Sequence, residues 1–380
     1  SRFDGTFVTA WPMSESFCRP GCASRTPRPS RVRFYRTAAA AYAAGLVPCP
    51  RCRPDMTPPA PELTDSDELG SRALRLIADG AIDRHGVSGL ARALRITPRH
   101  VLRAVEDVAD CGPLDYARAA RVHTARLLLT ATMIPMRDVA AASGFATVRQ
   151  FNVTVLALTR ATPGAIRFGP RRPVPGEREP GPLTVHCVLP THRPVPAELF
   201  ESLARRAIPE VESGSESWFA RTARLPHGPG HVRVDRDGSG RLLARLTVVD
   251  LRDFVPLLHR TERLFAHPAD PWQAGGPDFS GAMDTAEHLI RRVFERDTSA
   301  DSARIALGGL VTALGDPTPW GTVFPTAATI ARAGAGVLRG TEERIASILR
   351  VAEAIDSGEI DVTSGYSSAA LIGRHPALLW

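Results

Sequence analysis

Apolar residues at helical spacing start at Leu74, Ile77 and Ala78, behind a proline-rich stretch from Thr57 to Pro61 that reads as a linker. Two helix-turn-helix patterns follow. In the first, Val87 to Leu94 forms a helix, Arg95-Ile96-Thr97 turns, and a second helix begins at Pro98. Thr97 is placed to cap that helix, and proline suits its first position because the missing N–H would have no helical partner there. In the second, a helix from Met136 ends at Ser143-Gly144-Phe145, with Gly144 allowing the sharp turn. The next helix starts near Thr147 and carries Val148, Arg149, Gln150 and Asn152. A second linker, rich in Pro, Gly and Arg, covers 169–182. Beyond it, Leu183–Leu189, Trp218–Leu225, His231–Asp235 and Leu242–Val249 read as strands, with a turn at Asp237-Gly238. Leu199–Ile208 and Phe254–Phe265 read as helices, and the chain is mainly helical from Phe279 onward.

A length of 380 residues predicts two to four domains. The expected fold class is multidomain α+β. A small α/β domain spans 1–56, an all-α double helix-turn-helix domain 69–168, an α+β unit 183–268 and a helical region 269–380, with linkers at 57–68 and 169–182. The formal charge of +7 hides an asymmetry: residues 1–60 balance at +6, 61–172 at +5 and 173–380 at −4. The front half therefore suits a polyanion and the back half does not. All 47 basic residues are arginine, which reflects base composition more than phosphate recognition. No run of about 20 apolar residues exists to span a bilayer, and Ser1–Ala10 lacks the pattern of a signal peptide, so a cytoplasmic, nucleoid-associated protein with no membrane partner is expected.

Of six cysteines, four fall in the first 52 residues as Cys18-x3-Cys22 and Cys49-x2-Cys52. Without an export signal a disulfide framework is disfavoured, and two close pairs joined by a loop suit one tetrahedral Zn2+ held by four thiolates. Cys111 and Cys187 are isolated and read as small packed residues. Spacing alone leaves two roles open. The zinc ties the segment together, or the four thiolates, with a net charge of −2 including the metal, keep one sulfur nucleophilic towards a methyl carbon. Methylation then changes −2 to −1 and raises affinity for DNA.

The residues around the cysteines include Phe17-Cys18-Arg19-Pro20-Gly21-Cys22, Arg25-Thr26-Pro27, Val32-Arg33-Phe34-Tyr35, Ala38–Gly45 and Pro48-Cys49-Pro50-Arg51-Cys52-Arg53-Pro54-Asp55. This segment closely resembles the N-terminal zinc domain of the Ada family, the DNA methylphosphotriester methyltransferases and adaptive-response activators. The resemblance implies that Cys18 accepts the methyl group in a single irreversible turnover and that Cys22, Cys49 and Cys52 complete the zinc site. Arg19, Arg33 and Arg51 are the segment's candidate DNA contacts. Where the family has Thr-Gly, one residue and an aromatic, this chain has Ser14-Glu15-Ser16-Phe17, which brings a carboxylate near the acceptor.

The helix-turn-helix pair, with Thr162-Pro163-x-x-x-Arg167 behind it, resembles the AraC-type DNA-binding domain. That implies two recognition helices in successive major grooves of double-stranded DNA, with Arg99, His100, Arg103, Thr147, Arg149 and Gln150 as contacts and RNA polymerase as an activator's further partner. Residues 183–380 more faintly resemble the front of helix-hairpin-helix 3-methyladenine glycosylases, at Ala207–Glu212, Leu310–Gly315 and Phe324-Pro325-Thr326. The Leu-Pro-Gly-x-Gly hairpin and the catalytic Asp of that family have no counterpart; the chain reads Leu371-Ile372-Gly373-Arg374-His375-Pro376 and stops at Trp380. Base excision needs a basic, aromatic DNA face as well. Either the catalytic part is lost or the chain is incomplete, and glycosylase activity is not expected. Cys187, in Val185-His186-Cys187-Val188, lacks the Pro-Cys-His-Arg setting of an alkylguanine acceptor, since Pro190-Thr191-His192-Arg193 has threonine at that place. The expected function is a methyl-responsive activator and suicidal repair protein; the alternatives are a DNA-binding regulator with structural zinc and an alkylbase glycosylase.

Overall fold

The computed structural model describes residues 3, 5–11, 15–23, 32–56, 69–168, 181–189, 195–265, 282–296, 298–363, 371 and 374–375. The expected linker at 57–68, residues 169–180 of the linker expected at 169–182, Arg25-Thr26-Pro27 and Pro190–Arg193 lie outside the described residues.

The first segment is a four-stranded sheet in the order β3-β1-β2-β4, with β1 Val8–Ala10, β2 Ser16–Cys18, β3 Arg33–Tyr35 and β4 Val47–Pro48. Helix α1, Ala38–Ala43, is capped by Thr37, whose Oγ1 accepts from Ala40 N. Its Ala41 and Tyr42 pack with Val8, Ala10 and Phe17 into a small core, while Ala39 and Ala40 join the core of the helices that follow. Burying the one fully enclosed aromatic of the small core, Phe17, is worth about 1.5–3 kcal/mol. A segment of this size needs a further tie.

Seven helices follow: α2 Leu69–Ala78, α3 Ala81–Ala93, α4 Pro98–Ala109, α5 Pro113–Ala131, α6 Met136–Ala142, α7 Val148–Thr159 and α8 Pro163–Arg167. The backbone of α3 breaks at Gly86 (φ 63°, ψ −176°), so the helix leading into the first turn restarts at Val87. At the second turn Gly144 has φ +79°, where a Cβ would also strike Asp83 Oδ2 at 2.6 Å. Helix α5 is the spine of this region. Tyr116 and Ala117 pack into the core around α2 to α4, whereas Val122, Ala125, Leu128 and Leu129 enter a second core with α6 and α7.

That second core continues into a five-stranded antiparallel sheet, order β5-β9-β8-β7-β6. Its strands are β5 Leu183–Leu189, β6 Glu212–Gly214, β7 Trp218–Leu225, β8 Gly228–Arg236 and β9 Leu242–Val248. Helices α9 Ala197–Arg206 and α10 Phe254–Phe265 contribute Leu199, Phe200, Leu203, Phe254, Leu257 and Leu258 to the same core. Alternation along β5 exposes His186 and leaves Cys187 half-buried, so the two residues face opposite ways. Burial pushes the Cys187 thiol up to about 12 and the Cys111 thiol likewise.

The remaining helices, α11 Thr285–Glu295, α12 Ala300–Leu314, α13 Ala327–Ala333 and α14 Glu342–Asp356, form a third core with Ile208 and Val211. A hairpin absent from the sequence reading, β10 Asp316–Thr318 with β11 Gly321–Val323, interrupts them. Across the boundary between sheet and helices lies a buried ion cluster. Arg221 reaches Glu212 at 3.1 Å and Glu287 at 2.8 Å, and Arg291 reaches Glu212 at 2.6 Å and Glu287 at 3.0 Å. No helix among the described residues is long and apolar enough to cross a membrane.

Candidate metal centre and nucleic-acid interface

Strand pairing brings the cysteines together. β1 aligns Thr9 with Cys18, and β2 runs parallel to β4 with Phe17 opposite Pro48. Cys49 N donates to Phe17 O at 2.9 Å, so the ends of β2 and β4 place Cys18 beside Cys49. Each chain then turns tightly. Cys22 N donates to Arg19 O at 3.1 Å, with Gly21 at φ +77°; Arg53 N donates to Cys49 O at 2.9 Å, with Arg53 itself at φ +48°. These two turns return Cys22 and Cys52 to the same point. All four Sγ atoms lie within 4.8 Å of one another, and none is in a disulfide.

Four sulfurs on a tetrahedral zinc at about 2.3 Å stand about 3.8 Å apart, so this donor set fits the ion with only a small contraction. Arg19 N–H also points at Cys52 Sγ at 3.4 Å, the outer hydrogen bond that zinc thiolates commonly receive. Without a cation, burial first, then the neighbouring Cys22 and Cys49, push the Cys52 thiol up to about 12. A bound dication reverses that balance and holds the thiols deprotonated. The protein's zinc site is therefore Cys18, Cys22, Cys49 and Cys52, of which Cys18 and Cys49 are buried and Cys22 and Cys52 partly open.

The arginines expected to meet DNA are placed unequally. Arg33 is exposed on the edge strand β3. Arg19 turns inward and donates to Arg53 O at 3.0 Å, which fastens one cysteine loop to the other, whereas Arg51 is exposed like Arg33 and makes a long contact to Ala23 O at 3.4 Å. Glu15 is exposed and in the left-handed region (φ +43°), and its carbonyl receives Val47 N at 2.8 Å. Its backbone thus anchors β4 while its carboxylate stays in solvent.

Helices α4 and α7 are copies at an offset of fifty residues. Each has 12 residues and a threonine cap: Thr97 Oγ1 accepts from His100 N at 3.3 Å, and Thr147 Oγ1 accepts from Gln150 N at 3.1 Å. Each ends on a left-handed residue, Asp110 (φ 55°) and Arg160 (φ 56°). Arg99, His100, Arg103, Arg149 and Gln150 are all exposed, as a base or phosphate contact requires. Thr147 is exposed too, but its hydroxyl oxygen already accepts the cap hydrogen bond.

Contacts between segments were not legible in the sequence. The Arg36 guanidinium donates to Asp107 O at 2.7 Å, Arg36 N to Asp110 Oδ2 at 3.0 Å, and Thr37 Oγ1 to Ala109 O at 2.8 Å. Asp55, three residues beyond the last zinc ligand, pairs with Arg126 of α5 at 2.7 Å. The zinc segment is thus fastened to both the end of α4 and the middle of α5.

The fold and site define a zinc-binding protein with a double helix-turn-helix body and an α+β unit behind it. Three family descriptions match in that order: "Metal binding domain of Ada" over residues 1–55, "Helix-turn-helix domain" over 90–168 and "AlkA N-terminal domain" over 188–276. A Mycobacterium tuberculosis protein named "Probable bifunctional transcriptional activator/DNA repair enzyme AlkA" is 38% identical over 336 residues, 83% of this chain and 67% of that one. The Bacillus subtilis "Bifunctional transcriptional activator/DNA repair enzyme AdaA" is 25% identical over 165 residues, 43% of this chain and 76% of that one. A solved structure titled "Crystal structure of the methylated N-ADA/DNA complex" is 31% identical and covers 31% of this chain and 86% of its own, at a TM-score of 0.14. The chain belongs to the Ada family of bifunctional transcriptional activator/DNA repair proteins, in the form that carries an AlkA-like region behind the helix-turn-helix body.

Proposed function

We propose that the protein accepts a methyl group from a DNA methylphosphotriester on Cys18 and then holds its promoter more tightly. The convergence of four thiols in a segment fastened to the helix-turn-helix body carries this reading. When bound, zinc supplies the charge that keeps the four sulfurs anionic near neutral pH. The Cys18 sulfur attacks the methyl carbon in line. A sulfur–carbon bond forms, the carbon–oxygen bond breaks, and its electron pair leaves with the phosphodiester oxygen. Cys18 becomes a neutral thioether that no step regenerates, so each chain acts once. Removing one negative charge some 5–8 Å from DNA phosphates at a surface dielectric of about 20 is worth roughly 2–3 kcal/mol before screening by salt, which leaves about tenfold or more in affinity. Arg33, Arg51, Arg99, His100, Arg103, Thr147, Arg149 and Gln150, all exposed, supply the contacts to duplex DNA, and a steep loss of affinity with salt follows from the arginines. RNA polymerase is the partner an activator engages next.

A purely structural zinc is the second reading, favoured by the burial of Cys18, which is 2% exposed. DNA has to part the surrounding loop to reach its sulfur. Intact-mass and peptide-mass spectrometry after mixing the zinc-loaded chain with methylphosphotriester DNA separates the two. One added methyl group mapped to Cys18 supports transfer. An unmodified chain establishes the regulator instead, and a methyl group on Cys22 or Cys52 keeps transfer but moves the acceptor. DNA treated with a methylating agent, which carries 3-methyladenine as well as phosphotriesters, tests the AlkA-like region when assayed for the released base; no release is expected.

A further inference from the structure

The fifty-residue repeat permits a position-by-position comparison of the two recognition helices. With 3.6 residues per turn, the residues opposite buried Phe151 and Val155 on α7 are Arg149, Val153, Leu156 and Ala157, and the left-handed Arg160 follows the last helical residue. Their counterparts on α4, opposite buried Val101 and Val105, are Arg99, Arg103, Glu106 and Asp107, followed by the left-handed Asp110. On α4 the stripe turns acidic, and its acidic end is held by Arg36. On α7 the stripe is apolar between two arginines, with Val153 62% and Leu156 46% exposed.

We infer that Val153 and Leu156 read thymine methyl groups in the major groove, so that α7 selects a T-rich half-site whereas α4 does not. This inference rests on the reading of the helix pair as a duplex-DNA binder. In the major groove only thymine presents a methyl group, and apolar side chains are what recognise it. Arg149, in the first turn of α7, and Arg160, just past its last residue, flank the stripe and suit backbone phosphates. Gln150 and Asn152, also exposed on α7, suit adenine edges, which agrees with an A·T-rich target. Two side chains make too small a patch for a stable protein interface, which needs about 1,200 Å² or more in total. Exposed valine and leucine gain little in water, so their place is explained by what covers them.

The test uses the full chain and a random duplex pool. Selection followed by sequencing gives the preferred site, and thymines in the α7 half-site are then replaced one at a time by uracil. Uracil keeps pairing and edge hydrogen bonds but lacks the methyl group. The expected result is a loss of about fourfold for each contacted methyl group, the amount that burying one such group is worth. The V153A/L156A variant, altered only at exposed positions, binds the thymine site more weakly and shows no uracil penalty. Equal binding of thymine and uracil sites overturns the inference, as does undiminished DNA binding by V153A/L156A, which would assign the stripe to a protein. A chain that selects no sequence at all defeats the underlying reading of the helix pair as well.

Discussion

The Asp55 carboxylate meets the Arg126 guanidinium at 2.7 Å, with only 2% of one side chain and 10% of the other in contact with solvent. His123, one turn earlier on α5, bonds the Asp55 carbonyl through Nδ1 at 3.0 Å. The residue that closes the zinc segment therefore also ties it to the helix-turn-helix spine, beside the contacts of Arg36 and Thr37.

Removing one partner of a buried pair leaves an uncompensated charge, so Arg126→Ala is expected to cost about 3–5 kcal/mol. Urea unfolding of the zinc-loaded protein measures it. The double variant Asp55→Asn with Arg126→Met is expected to recover much of that loss, because neither charge is then stranded. A cost for R126A below about 1 kcal/mol would show the pair to be solvated.

Zinc removal is expected to unfold the first segment and little else. Its core consists of Val8, Ala10, Phe17, Ala41 and Tyr42, far less than a domain needs to stand alone. Binding of structural zinc contributes about 10 kcal/mol or more to folding of such units. A chelator should therefore expose residues 1–56 to protease while α2 to α8 stay protected, as limited proteolysis with mass mapping will show. Because the ligands bind as thiolates, zinc affinity should fall as pH falls.

Local chemistry was legible in the sequence and distant pairing was not. Thr97, Pro98, Thr147 and Gly144 stand where the sequence set them, because a cap or a left-handed turn is decided within a few residues. The four cysteines were legible for the same reason, since two short spacings suffice. By contrast, the hairpin Asp316–Thr318 with Gly321–Val323 has three-residue strands, one containing proline, and no alternation to detect. Nor does any period mark Asp55, Arg36 or Arg221, whose partners lie far along the chain. Arg19 is expected at DNA, but no local pattern shows that its guanidinium group braces the cysteine loops.

Acid is expected to loosen the boundary between the five-stranded sheet and the C-terminal helices. Burial alone would raise the Glu287 pKa, but Arg221 and Arg291 outweigh it and hold Glu287 below its ordinary value of 4.5. A carboxylate depressed in the folded state stabilises the fold above its unfolded pKa and loses that contribution as pH falls through the folded one. Asp284 works in the opposite sense, raised by burial and by Glu287, so it partly offsets the loss. Stability should thus decline below about pH 4.5, and Glu287→Gln should flatten that decline while lowering stability at pH 7. Urea unfolding across pH 3–7 checks both; an unchanged acid limb in E287Q counts against the cluster.

The two cap threonines supply an internal control for the DNA-binding helices. Thr97→Ala and Thr147→Ala each remove the acceptor for one amide at a helix start, at His100 and Gln150 respectively. Each loss is worth about 0.5–2 kcal/mol, and the two should be similar because the caps are matched in geometry. Their effects on DNA should differ in kind. Fraying α7 disturbs Arg149 and Gln150, whereas Pro98 keeps the first turn of α4 in helical φ without Thr97. Thr147→Ala should therefore weaken promoter binding more than Thr97→Ala at equal loss of stability. Stability by thermal unfolding and affinity by fluorescence anisotropy, measured on the same preparations, decide it. Equal losses of affinity would mean that the cap hydrogen bond, and not the proline, holds the first turn of α4 in place.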